Sequence, residues 1–128
     1  MINDTKQVVN QICEILYDKK ATDIVYIDIA DKSVIADYFI ICSGRNNQLV
    51  KALCDEVEGK MALEGLRARR KEGYNEGRWI VIDYADILIH IFHPQEREYF
   101  NIERLWKDDS NFTDYSAMRE KQLMEKSE

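Results

Sequence analysis

The sequence predicts a single domain of the α/β (α+β) class, a mixed five-stranded sheet with helices packed on it. Two observations lead there. Apolar residues recur at helical spacing in three segments and at strand spacing in five, in the order α-β-β-α-β-β-β-α. A strand that leads through a helix into the next strand requires a crossover and some parallel pairing, whereas strands joined by short turns pair antiparallel. The 128 residues suffice for one core, and no internal repeat or linker divides them.

Residues 5–19 read as an amphipathic helix, with Val8, Val9, Ile12, Ile15 and Leu16 on one stripe and Asp4 placed to cap its start. In "DIVYIDIA", Val25, Ile27 and Ile29 alternate with Tyr26 and Asp28, the pattern of a strand with one solvated face. "ADYFIIC" is nearly continuous in apolar residues and fits a strand buried on both faces. The pair Ser43-Gly44 breaks it, and a helix over about 46–64 follows, carrying Leu49, Leu53, Val57 and Met61 on one stripe. Gly65 stands where a left-handed cap ends such a helix. "LRARRK" is then a short polar strand whose charges suit a sheet edge, and "EGYNEG" is a loop.

Residues 79–82 and 87–92 read as paired strands joined by residues 83–86, a common hairpin length. Pro94 suits the first position of a helix over 94–106, where Phe100 and Trp106 fall at core spacing. Residues 1–108 are expected to form the domain and 109–128 a polar C-terminal tail, partly helical or mobile.

Composition narrows the function. Eighteen Lys and Arg against 24 Asp and Glu give a net charge of −6, which opposes sequence-specific nucleic-acid binding and favours a basic partner. No apolar run reaches the roughly 20 residues that span a bilayer. The opening residues carry neither a basic leader nor an apolar signal core, so a cytoplasmic location and no membrane contact are expected. Cys13, Cys42 and Cys54 are too far apart in sequence for a close-paired zinc site and read as buried, reduced thiols.

Asp83, Asp86 and His90 raise a metal or acid/base reading against a turn with a packed histidine. Asp86 and His90 lie about 13 Å apart along an extended strand, so the two cannot chelate one ion. "CSGRNNQ" sits where phosphate-binding loops occur, yet it has one Gly and no following Lys-Ser/Thr, which favours a cap-and-turn role. No catalytic constellation emerges, and Trp79 and Tyr38 are of the types that anchor protein contacts.

Four blocks, "DYFIICSGRNNQ" at 37–48, "EG" at 72–73, "WIVIDYADILIHIF" at 79–92 and "REYFNIERLW" at 97–106, resemble the ribosomal silencing factor (RsfS/Iojap-like) family over nearly the whole chain. Ala85 departs from the glycine usual there, which predicts a turn that does not need a positive φ. The resemblance implies a nucleotidyltransferase-like topology without the catalytic site, and a non-enzymatic translation repressor without cofactor. It implies a partner too: the large ribosomal subunit, bound through its universal protein number fourteen, so that joining of the small subunit is blocked when nutrients are scarce. Large-subunit assembly is the alternative role, and retained nucleotide binding the enzymatic one.

Trp79 matches the family tryptophan and is the expected aromatic anchor. Asp37, Tyr38, Asp86 and His90 also match family positions. Asp37 stands open between contacting the partner and capping a turn. His90 stands open between packing and a self-association surface, since family members often form homodimers.

Overall fold

The Asp4 carboxylate accepts the Lys6 N–H and satisfies one of the donors that a helix start leaves open, so helix α1 (Thr5–Asp18) begins where the sequence placed it. The computed structural model describes residues 4–127. In α1, Val8, Val9, Ile12 and Leu16 of the expected stripe are buried together with Cys13, while Ile15 is only partly buried against the core. Asn46 caps helix α2 (Asn47–Leu63) by accepting the Leu49 N–H at 2.8 Å. Beyond it Gly65 turns left-handed at φ +83°, a conformation that costs glycine little. The two helices pack together on what we term the first face of the sheet.

The strands are β1 (Thr22–Asp28), β2 (Tyr38–Ser43), β3 (Arg70–Glu72), β4 (Trp79–Asp83), β5 (Ile87–Phe92) and β6 (Phe112–Asp114). Their order is β3-β4-β5-β2-β1-β6, with β2 and β5 parallel and every other pair antiparallel. The mixed sheet is therefore present, with six strands rather than five. The extra strand, β6, lies in the segment read as a polar tail and leads directly into helix α5 (Tyr115–Lys126). Three residues are too few to display a period of two, so β6 has no signature of its own; pairing with β1 makes it a strand.

The reading of β1 as half-exposed is also corrected, because helices α1 and α5 cover its first face. Tyr26 is buried against the first-face core, while Val25 and Ile27 pack into a second cluster on the opposite face. All three cysteines are free and buried. Each fully buried isoleucine of β2, β4 and β5 contributes about 1.5–3 kcal/mol.

The predicted helix over 94–106 is two helices. Pro94 does open α3 (Pro94–Phe100), but Asn101 adopts φ +43° and separates it from α4 (Ile102–Trp106). Asparagine is among the few side chains that tolerate this conformation. The break turns Ile102 and Trp106 onto the second face and leaves Tyr99, 81% exposed, and Phe100, 45% exposed, outside the core. Phe100 is thus not the core residue its spacing suggested.

Residues 83–86 do form the hairpin corner, with one correction. Ala85 has φ +74°, so the turn does require a positive φ although glycine is missing. A Cβ in that region carries a steric cost that glycine avoids. Ala85→Gly is therefore expected to stabilise the fold by about 1 kcal/mol, measured as a higher denaturant midpoint with an unchanged slope.

Candidate partner-binding face

Gly73 and Gly77, both at positive φ, make the tight loop that delivers the chain into β4 at Trp79. In the β4–β5 pair Trp79 lies opposite Phe92 and Val81 opposite His90. Ile80, Ile82, Ile89 and Ile91 fill the first-face core, so the alternate residues Trp79, Val81, Leu88, His90 and Phe92 share the second face.

The Trp79 indole is half-buried and closely held. It stacks on Phe92 with centroids 4.8 Å apart and lies 4.9 Å from the Phe100 ring. Its Nε1–H donates to His90 Nδ1 at 3.2 Å. Beside it, Arg78 makes two 2.7 Å bonds to the Glu96 carboxylate, which ties the start of β4 to α3. Arg97 spans the helix break by bonding Glu103, and also reaches the Ser43 hydroxyl and the Asp23 carbonyl. A large ring fixed on three sides and open on the fourth presents contact area at little further entropic cost.

His90 is 7% exposed, and burial pushes its pKa down to about 4. It is neutral at pH 7, with the proton on Nε2 because Nδ1 accepts from Trp79. Nε2 is itself buried without a hydrogen-bond partner among the described residues. Between about pH 6.5 and 4 the unfolded chain takes up a proton on this histidine that the folded chain refuses. Fold stability should therefore decline through that interval as pH falls. His90→Leu should flatten the decline, as read in urea titrations at several pH values.

The five residues singled out from the sequence do not converge on one point. Trp79 and His90 form the bonded pair just described. Asp37 and Asp86 meet at the other end of β5, where the Asp86 carbonyl accepts the Asp37 N–H at 2.8 Å and the Tyr38 N–H at 3.1 Å. That end lies about 16 Å from Trp79 along the strand. Tyr38 turns to the first face, edge-on to Tyr26.

Asp83 is occupied within its own corner. Its carboxylate accepts the Ala85 N–H at 2.8 Å and pairs with Arg69 at 3.2 Å. Burial pushes this carboxyl up, but the Ala85 N–H together with Arg69 and Arg70 outweighs that and holds its pKa below the ordinary value.

The sequence reading missed the apolar residues around these landmarks. Val34 and Ile35 stand exposed beside the half-buried Val81 and Leu88, while Phe100 packs on Trp79 and Tyr99 on Phe100. Only the β4–β5 register and the break at Asn101 place them on one side of the molecule.

The family model described as "Ribosomal silencing factor during starvation" matches residues 2–128. The chain belongs to the ribosomal silencing factor family. A relative named as ribosomal silencing factor RsfS, from Bacillus subtilis (strain 168), is 40% identical over 91 residues, 71% of this chain and 77% of its own length. The crystal structure of a Chromobacterium violaceum protein superposes with a TM-score of 0.79 at 29% identity, covering 85% of this chain and 92% of that one. A mouse relative, named "Mitochondrial assembly of ribosomal large subunit protein 1", is 27% identical over 77% of this chain and 44% of its own length. No helix among the described residues of this silencing-factor domain is long and apolar enough to cross a membrane.

Proposed function

We propose that this silencing factor represses translation by docking on the large ribosomal subunit, through its universal protein number fourteen, and standing where the small subunit must join. The observation that carries the reading is Trp79, an indole clamped by Phe92 and His90 yet half open to solvent on an apolar face. Aromatic residues set in this way are the usual centres of protein interfaces. The net charge of −6 steers the domain toward a basic ribosomal protein and away from the surrounding RNA.

The role is steric and non-enzymatic, in the cytoplasm, with no cofactor. Purified chain should sediment with isolated large subunits and not with joined ribosomes. Titrating ATP, GTP and magnesium should leave its melting temperature unmoved, whereas a shift would mark a nucleotide site.

The name of the mouse relative favours a second reading, assistance in large-subunit assembly. It would use the same docking face at an earlier time. Preferential sedimentation with immature large particles over mature ones would select it.

A further inference from the structure

The second face continues past Trp79 into a groove of about 500 Å³, within the range of binding clefts. Val81 and Leu88 form its floor, Val34 and Ile35 one wall, and edge strand β3 the other. Val81 is one pleat repeat, about 7 Å, along β4 from Trp79 on the same side. Val34 is fully exposed and Ile35 is 55% exposed. Their loop is nonetheless held: Lys32 and Ser33 donate backbone N–H groups to the Ile29 carbonyl, and Ile35 N–H donates to the Ser33 hydroxyl. Lys32 pairs with Asp108 at 3.0 Å. The turn thus presents two branched apolar side chains to water in a fixed arrangement.

Charge indicates what fits. Arg69 and Arg70 on the β3 wall both turn to Asp83, at 3.2 and 3.6 Å, and Glu72 lies 3.9 Å from Arg70. Those charges are balanced among themselves. Asp86, at the corner of the groove, is exposed and forms no ion pair among the described residues. The groove therefore offers an apolar floor and one apolar wall, facing a charged β3 wall whose charges are paired, with an unneutralised carboxylate at its end.

We propose that this groove takes an extended segment of the ribosomal protein partner, apolar where it crosses Val81 and Leu88 and carrying a Lys or Arg that pairs with Asp86. The inference rests on the docking reading above and deepens it: the partner is gripped at two points, Trp79 at one end of β5 and Asp86 at the other. A basic protein supplies the cation, and the ordered 33–35 turn limits the entropy lost on closing over the apolar residue.

The test is calorimetric titration of the isolated large-subunit protein number fourteen. The subjects are native chain, Val34→Ser/Ile35→Ser, Asp86→Lys and, as a control on the anchor, Trp79→Ala. The serine pair and Asp86→Lys are each expected to lower affinity about tenfold or more with an unchanged melting temperature. Asp86→Lys should also flatten the salt dependence. If both groove variants bind like the native chain while Trp79→Ala binds weakly, the groove is not part of the interface and this inference falls while the docking reading stands. If the groove variants bind the isolated protein like the native chain but bind whole large subunits weakly, the groove meets RNA and the inference is again overturned. Absence of binding by the native chain removes both.

Discussion

Trp79→Ala is expected to weaken docking on the large subunit by about 2 kcal/mol or more, roughly thirtyfold in affinity. The side chain is large and only partly buried, and its orientation is already fixed by Phe92 and His90, so little rotamer entropy opposes its insertion. The same substitution also costs fold stability, because it leaves Phe92 without its stacking partner and the buried His90 without its donor. Trp79→Phe separates the two effects. A phenyl ring can still cover Phe92 while lacking the N–H, so it should recover most of the stability and only part of the affinity. Calorimetric titration at a temperature where both variants remain folded reads the binding loss directly. Native-like affinity for Trp79→Ala would reject Trp79 as the anchor.

Gly73→Ala is expected to be the more damaging change to the fold, at about 3 kcal/mol. Two causes add. Gly73 has φ +82°, where an L side chain is strained, and a Cβ there would overlap the carbonyl oxygen of Trp79. That oxygen belongs to backbone, so relief requires the start of β4 to move. The same shift would carry the indole away from Phe92, so the folded fraction of the variant should also dock poorly. By contrast, Gly59→Ala meets nothing within 4 Å inside α2 and should be neutral or slightly stabilising, which makes it the matched control. Urea midpoints for the two variants measure the difference.

Where the sequence pattern was long or its punctuation unambiguous, the structure follows it. Four of the five stripe residues of α1, the stop at Gly65, the hairpin corner over residues 83–86 and the turn into α3 at Pro94 all stand. Features that depend on partners distant in sequence did not show in it. Three-residue β6 exists because β1 offers an open edge, and Tyr26 is buried because α1 and α5 pack over that strand's first face. The break at Asn101 rests on one residue entering a sparsely used conformation inside an otherwise helical pattern. Ala85 holds a positive φ because the corner around it dictates the backbone, against the side chain's own preference.

The candidate site divides along the same line. Trp79 and His90 were each visible by residue type, but their bond follows from strand register alone. Asp37 and Asp86, 49 positions apart in the chain, meet only because β2 and β5 run parallel. Tyr38, adjacent to Asp37, points the other way, as alternation along a strand requires. The exposed pair Val34 and Ile35 carried no signal, since a turn with apolar residues reads as a break in pattern until its neighbours are known.

A chain that acts by occupying a surface should show its effect in subunit joining itself. The most direct measurement mixes purified large and small ribosomal subunits, in magnesium sufficient for joining, with a saturating excess of the chain, and reads the fraction joined by sedimentation. Joined particles are expected to fall toward zero with native chain and to persist with Trp79→Ala at the same dose. Full joining in the presence of native chain bound at saturation would contradict it.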